Sequence, residues 1–190
     1  MNAGLDYPRR HTVSAHEFLE MGNAGVFAPE ARLELIGGEI IEMAPLGSPH
    51  ATVLSELTSR LIRAAADRVI ARSQCPLVLG EGSVPQPDLA LLKPSPDRYF
   101  GHHPRASDAL LVVEVSDTTL RFDLDSKVPL YALAGVPEAW IIDIERRAIR
   151  VFREPDAGGY RTSFTATGSD SVQPVALERA AISANALFPG

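Results

Sequence analysis

Two acidic residues border or interrupt apolar stretches in which an ionised side chain is costly. Asp88 stands immediately before the run Leu89–Leu92, and Glu114 lies inside the branched-aliphatic stretch 110–116. Short, continuous apolar runs of this kind are typical of strands buried on both faces of a sheet. A carboxylate there must be paired, bound to a metal or neutralised, because an isolated buried charge costs several kcal/mol. Two such acids on neighbouring strands, with Lys127 beside them, suggest metal-assisted hydrolysis.

The residue types alone leave a structural interpretation open for each group. Asp88 and Glu114 could instead cap loops at strand ends, and an exposed helix position is the ordinary interpretation of a lysine such as Lys127. If the two acids do face a cation site, they repel each other when no ion is bound. Removal of Asp88 is then expected to leave stability unchanged or slightly higher.

The composition is that of an ordinary globular chain, with 190 residues, 45% hydrophobic and 22% charged. This length predicts a single domain over residues 1–190 with a substantial core. The formal charge of -6 and a pI near 5.4 argue against binding of nucleic acid through the overall field of the protein. A local basic patch stays compatible with that balance.

The chain carries one cysteine, Cys75, and no zinc-type spacing of Cys and His. An internal disulfide is therefore excluded, and a reducing, cytoplasmic location is expected. No stretch has the length of a signal peptide core, and none approaches the roughly 20 apolar residues that cross a bilayer. Association with membranes is not expected.

Periodicity predicts alternating helices and strands along the chain. Pro129 lies within a helical pattern that ends at Ala134, so this helix should either start near Asp125 or be kinked. The full prediction is a capped helix from Ser14, a hairpin over 33–43 turning at Gly37 and Gly38, a helix from Ser48 to about Arg68, strands at 74–79, 84–92 and 109–115, a helix ending at Ala134, a strand at 139–144, a meander at 148–152 and 160–165, and a short capped helix at 183–188.

Further polar residues are candidates for substrate contacts. Pattern alone favours a solvated position for Glu34 on the hairpin and an exposed, neutral state for His50 in the first turn of the long helix. Residues 94–108 form a long polar loop, and loops of such length in a compact domain are often functional or mobile. Its candidates for touching substrate are Tyr99, His102, His103 and Arg105.

The ordered set of motifs resembles the Uma2 family, also called DUF820, a restriction-endonuclease-like family within the PD-(D/E)xK nuclease superfamily. The similarity covers nearly the whole chain. The motifs that carry it are Leu33–Met43, Gln86–Asp88, Val112–Ser116, Asp125–Tyr131 and Ala134–Asp143. The resemblance implies a mixed α/β fold with a restriction-endonuclease-like sheet core in the order αβββαβ, flanked by helices, an N-terminal hairpin and a β-rich tail.

The resemblance also assigns site residues. It implies that Asp88 and Glu114 bind Mg²⁺ or Mn²⁺ and that Lys127 reaches the site from a helix. The superfamily pattern would place this lysine at position 116, where this chain has Ser116. A long, flexible lysine can reach the same point from another element. Glu34 and His50 match recurrent family positions that would complete the pocket, and Glu56 is the competing additional acid.

The resemblance implies a metal-dependent endonuclease that hydrolyses DNA. Two other interpretations stay open at this stage. One is a catalytically weak or inactive nucleic-acid-binding module that keeps the fold, and the other is an interaction or regulatory protein. A two-fold homodimer is compatible with this activity, because nucleases that cut both strands commonly act as pairs.

Overall fold

The computed structural model describes residues 10–189, and its N-terminal part contains a capped helix and a hairpin. Helix α1 spans Ala15–Asn23, and Ser14 and Glu17 form the predicted capping box. Strands β1 (Leu33–Ile36) and β2 (Glu39–Glu42) pair antiparallel. Gly37 and Gly38 join them with φ of 60° and 84°, values that glycine adopts without strain. The predicted hairpin is confirmed.

Helix α2 (Ser48–Ala65) is the longest helix of the described chain. It ends three residues before the predicted boundary, because Ala66 and Asp67 adopt the left-handed region, with φ of 45° and 64°. A left-handed residue directly after the last helical turn is a common way for a helix to end.

A six-stranded mixed sheet forms the centre of the fold. All neighbouring strands are antiparallel except β5 and β6, which are parallel and are joined by a helical crossover. In spatial order the strands are β3 (Ile70–Arg72), β4 (Leu89–Leu92), β5 (Ala109–Ser116), β6 (Glu138–Asp143), β7 (Ala148–Asp156) and β8 (Gly159–Thr167).

The first two strand predictions of this sheet need correction. Residues 74–79 do not form the edge strand; Gln74 has φ of 53°, and Val78 bridges only to Arg105. The edge strand is instead β3, which is too short for its periodicity to be visible. The predicted strand 84–92 is reduced to β4, because Val84 pairs with the hairpin and the prolines that follow it cannot continue a ladder.

The crossover from β5 to β6 is helical, with one wide turn in its middle. Helix α3 (Leu120–Phe122) continues through a π-helical turn at Asp123–Lys127 into α4 (Val128–Leu133). The Val128 N–H donates to the Asp123 carbonyl, five residues back. The turn ends two residues before Pro129, which has no N–H to donate. The predicted irregularity at this proline is therefore a π turn.

The C-terminal tail is β-rich, as expected. After β7 and β8, two short strands pair with each other, β9 (Ser171–Val172) and β10 (Ile182–Ser183). The final helical segment is a 3₁₀ turn over Ala184–Leu187 and not a capped α-helix, since the Ser183 side chain makes no capping hydrogen bond.

The sheet separates two apolar layers. One face packs against α2 and the C-terminal tail, with Leu57, Val113 and Trp140 fully buried between them. The other face packs against α4 and the segment around Leu77, with Tyr131 at its centre. No helix of residues 10–189 is long and apolar enough to cross a bilayer.

Replacement of a large side chain of the central strand β6 by alanine tests this layering. Ile142 is 0% exposed and belongs to the layer that contains α2. We expect Ile142→Ala to lower the free energy of unfolding by about 2 to 5 kcal/mol, through lost burial and the cavity left behind. Urea unfolding measures this, with Ile62→Ala on the half-exposed surface of α2 as the control. A loss below about 0.5 kcal/mol for Ile142→Ala would contradict its place in the core.

Candidate active site

The pairing of β4 with β5 brings Asp88 and Glu114 together. Leu89 lies opposite Val113 in this antiparallel pair, so the next positions along the register are Asp88 and Glu114. The Asp88 N–H donates to Glu114 Oε2 at 3.4 Å. Both side chains are buried and line one cavity of about 60 Å³, which has room for only a few water molecules. Asp88 directly precedes β4 and Glu114 lies within β5, so the two acids come together as expected; that they share one ion stays a prediction.

Lys127 enters the same cavity from the π-helical turn of the crossover. Its side chain is 2% exposed. The Nζ atom lies 3.0 Å from Glu34 and 3.2 Å from Glu114 Oε1. The interpretation of Lys127 as an exposed helix residue is therefore wrong. Its ammonium is a buried counter-charge between two carboxylates.

Glu34 reaches the cavity from strand β1. The pattern-based expectation of a solvated acid is wrong, because Glu34 is 2% exposed. Its Oε1 atom accepts hydrogen bonds from Lys127 and from the Gln86 N–H, at 3.0 and 3.1 Å. Its Oε2 atom is buried and accepts no hydrogen bond within the described part of the chain, although Lys127 Nζ lies near it.

His50, in the first turn of α2, contacts Asp88. The expectation of an exposed histidine is wrong, since His50 is buried and its Nε2 lies 2.9 Å from Asp88 Oδ2. The same oxygen accepts the Val115 N–H at 2.8 Å. His50 Nδ1 has no hydrogen-bond partner among residues 10–189. Asp88 is thus held by a side chain of α2 and a backbone donor of β5.

The competing acid Glu56 lies elsewhere. It forms an exposed ion pair with Arg60 one turn along α2, with Nε and Oε1 2.6 Å apart, and does not line the cavity. Of the two proposed additional acids, the structure brings Glu34 and not Glu56 to Asp88 and Glu114.

The sequence interpretation missed two residues of this group, Asp123 and Tyr131. Asp123 is buried and its Oδ2 accepts hydrogen bonds from Ser116 and Thr119, at 2.7 and 2.8 Å. The Tyr131 hydroxyl donates to Glu114 Oε1 at 2.5 Å. The available signal was spacing, because Asp123, Lys127 and Tyr131 recur every four residues and share one helix face.

The pKa values of the buried acids shift in different directions, although burial alone would raise all of them. Burial acts to raise the pKa of Asp88, but the hydrogen bonds and charge of His50 and the Val115 N–H outweigh it and lower that pKa. Burial raises the pKa of Glu114 well above its usual range against the opposing effect of Lys127, and neighbouring Asp88 adds to the rise. Burial likewise raises the pKa values of Glu34 and Asp123, although Lys127 opposes this.

Lys127 is held in its protonated form. Burial alone would lower its pKa, but the charges of Glu114, Glu34 and Asp123 raise that pKa above its ordinary value. Three carboxyl groups therefore share one lysine, and the fourth buried acid, Asp88, pairs with His50. The cavity lining also contains Asp117 and Arg32, so its acids outnumber Lys127 and Arg32.

This donor set suits a hard divalent cation. Mg²⁺ and Mn²⁺ prefer carboxylate oxygens. Glu34 Oε2 accepts no hydrogen bond from a described residue, and Glu114 Oε2 and Asp88 Oδ1 each have one long contact of 3.4 Å. Within residues 10–189, however, no three His, Cys, Asp or Glu side chains are grouped as ligands of one ion. Lys127 is the cation that lies between Glu34 and Glu114.

The mixed sheet with its helical crossover, together with buried acids at β4 and β5, defines a protein of the nuclease fold. A crystal structure of "a putative nuclease belonging to DUF820" from Anabaena variabilis ATCC 29413 superposes with a TM-score of 0.70. The two sequences are 18% identical, and the match covers 93% of this chain and 97% of that chain. At this identity the likeness concerns the fold alone.

The family follows from the sequence profile of Uma2, described as "Putative restriction endonuclease", which matches residues 15–185. The chain belongs to the Uma2 family. No curated protein matches the chain.

Proposed function

We propose that this protein is a metal-dependent endonuclease that hydrolyses DNA phosphodiester bonds. The observation that carries the proposal is the buried group of four acids, of which three surround Lys127 and the fourth, Asp88, contacts His50. An excess of buried negative charge is unfavourable unless a cation offsets it. Membership of a family of restriction-endonuclease type agrees with this chemistry.

Asp88 and Glu114 are the side chains proposed to hold Mg²⁺ or Mn²⁺, and Glu34, which shares Lys127 with Glu114, is the supporting acid beside them. When bound there, the ion would supply Lewis-acid stabilisation of a phosphate and lower the pKa of water. Lys127 stays protonated, so its role is to donate hydrogen bonds to negative oxygens and not to accept a proton. His50 positions Asp88 through the 2.9 Å contact with Oδ2.

Cation binding is expected to depend on Glu34. We expect Mn²⁺ to bind wild-type protein with measurable heat and to raise its melting temperature, as any ligand of the folded state does. Glu34→Gln should weaken Mn²⁺ binding by about tenfold or more, on the scale of losing one supporting group at a metal site. Glu56→Gln, on α2 outside the cavity, is the matched control and should bind like wild type.

Isothermal titration and thermal melts measure the two effects, and a plasmid-cleavage time course in Mg²⁺ tests hydrolysis. Equal Mn²⁺ affinity in Glu34→Gln and Glu56→Gln would remove Glu34 from the metal site. We call the cavity that holds the buried acids Glu34, Asp88, Glu114 and Asp123 the four-acid cavity. Cation binding without cleavage of any DNA substrate would favour the second candidate, a nucleic-acid-binding module that keeps this cavity but not the activity. A homodimer stays a prediction.

A further inference from the structure

A second and larger cavity lies between α1 and the loop 94–108. It measures about 1310 Å³ and shares no lining residue with the four-acid cavity. Pockets for drug-sized ligands usually occupy about 300 to 1000 Å³. An open cleft above that range suits a segment of a polymer better than a small metabolite.

The loop that forms one wall of this cleft is held by its own hydrogen bonds. Lys93 Nζ donates to the Ser107 carbonyl at 2.7 Å across the base of the loop. The buried Tyr99 donates its hydroxyl to the Lys93 carbonyl at 2.8 Å. Arg72 donates from β3 to the carbonyls of Arg98 and Tyr99, at 3.1 and 3.0 Å. The loop is therefore a preorganised surface.

This preorganised loop places an aromatic ring in solvent. Arg98 and Tyr99 both adopt left-handed backbone, with φ of 53° and 58°, which is costly for residues other than glycine. The next residue, Phe100, is 95% exposed, the largest exposed fraction among the large apolar side chains of residues 10–189. A strained turn that presents an uncovered phenylalanine is consistent with a contact made to another molecule.

The loop 94–108 and its supporting strand carry more basic than acidic side chains, whereas the opposite wall of the cleft is acidic. The loop and its supporting strand contribute four basic side chains against two acidic ones, together with two histidines. Arg98 and Arg105 are exposed, and the acids Glu20 and Glu81 lie on the other wall of the cleft. The basic residues are Arg72, Lys93, Arg98 and Arg105, the acids Asp97 and Asp108, and the histidines His102 and His103.

We propose that the loop 94–108 binds a single-stranded segment of DNA, with Phe100 stacked on a base and Arg98 and Arg105 near phosphates. Aromatic stacking beside a basic groove is how proteins bind single strands without reading their sequence. The proposal rests on the proposed endonuclease function for its ligand class. It places this contact at the opposite end of β4 from Asp88, and the four residues of that strand span about 13 Å.

Binding of fluorescein-labelled oligothymidine, followed by fluorescence anisotropy in EDTA, tests this contact without cleavage. Phe100→Ala should weaken binding by about tenfold, within the range for loss of one base–aromatic stack. Phe100→Trp should retain the affinity of wild type. Leu133→Ala, which removes another exposed apolar side chain, is the matched control and should change nothing.

The arginines test the electrostatic half of the proposal. Arg98→Gln combined with Arg105→Gln should reduce the dependence of affinity on salt by roughly one to two counterions. Equal affinity for wild type and Phe100→Ala, or no binding of oligothymidine by wild type, would overturn the proposal.

The proposed endonuclease function is tested separately by plasmid cleavage in Mg²⁺. Cleavage by wild type together with unchanged binding in Phe100→Ala would overturn the loop contact alone. Loss of oligothymidine binding in Phe100→Ala, in a protein that cuts no DNA, would support the contact and overturn the endonuclease.

Discussion

Replacement of Lys127 by alanine should lower the rate of DNA cleavage in Mg²⁺ by about a hundredfold or more. This is the scale on which one preorganised electrostatic group contributes to an active site. Lys127 is buried at 3.0 Å from Glu34 and 3.2 Å from Glu114, so no neighbouring water-exposed group can take its place. Cation affinity should stay nearly unchanged or rise slightly, because a competing positive charge is removed.

An exposed cation outside the cavity and outside the loop 94–108 provides the matched control. Arg63 is exposed on α2, and Arg63→Ala should cleave plasmid at the wild-type rate. Lys127→Arg should not restore full activity, since a planar guanidinium does not fit the position of a compact ammonium in a cavity of about 60 Å³. Unchanged cleavage by Lys127→Ala would remove this lysine from the mechanism.

Lys127→Ala should also destabilise the metal-free protein. Removing one member of a buried ion pair leaves the other charge without compensation, at a cost of about 3 to 5 kcal/mol. Here the remaining groups can take up protons, because the pKa values of Glu34 and Glu114 are already raised. Cleavage must therefore be compared at a temperature where circular dichroism shows each variant folded.

Asp88→Asn and Glu114→Gln should each reduce cleavage by about a hundredfold or more, yet they should change stability in opposite directions. The ionised form of Asp88 accepts hydrogen bonds from Val115 and His50, so Asp88→Asn should cost about 1.5 to 3 kcal/mol at pH 7. The expectation that loss of Asp88 is neutral did not include these hydrogen bonds, and unfolding of the variant decides between the two expectations. Glu114→Gln removes a desolvated charge and keeps an acceptor for Tyr131, so the metal-free protein should become more stable.

The dependence of the free energy of unfolding on pH distinguishes the stability change of Asp88→Asn from that of Glu114→Gln. The lowered pKa of Asp88 means that its stabilisation is present above its ordinary pKa of 3.8 and is lost as pH falls through the lower folded value. The raised pKa of Glu114 has the opposite effect on the dependence of stability on pH. Ionisation of Glu114 opposes folding, so stability decreases as pH rises above the ordinary value of 4.5 and through its folded pKa.

Urea unfolding of wild type and both variants between about pH 2 and pH 8, in EDTA, measures these contributions. The advantage of Glu114→Gln over wild type should grow with pH, and the deficit of Asp88→Asn should shrink toward the acid end. Glu56→Gln, on the exposed surface of α2, controls for the loss of a carboxylate as such. Parallel pH profiles for Asp88→Asn and Glu114→Gln would contradict the opposite shifts assigned to the two acids.

Much of the fold could be predicted because its strongest signals are local. The capping box at Ser14, the turn at Gly37 and Gly38, and the apolar runs of β5 and β6 depend on neighbouring residues. The edge strand β3 could not be predicted in this way, since three residues carry no period. Its place is fixed by pairing with β4 and not by its own sequence.

The candidate site also contains residues that local sequence identifies and residues that only the tertiary fold brings in. Asp88 and Glu114 could be selected because an acid beside a buried apolar run is locally anomalous. Glu34 and His50 looked like surface residues, because their own strand and helix leave one side free. Their burial comes from chain segments 93 and 38 residues away in sequence, through Lys127 and Asp88. Only the tertiary fold holds that information.

The burial of Lys127 has a practical consequence for chemical labelling. The chain contains two lysines against sixteen arginines. Amine-reactive reagents require an accessible, neutral amine, and Lys127 offers neither, because it is buried and its pKa is raised. Acylation should therefore discriminate strongly between the two lysines and modify Lys93. A fluorophore attached there would stand at the base of the loop 94–108 and leave the four-acid cavity untouched.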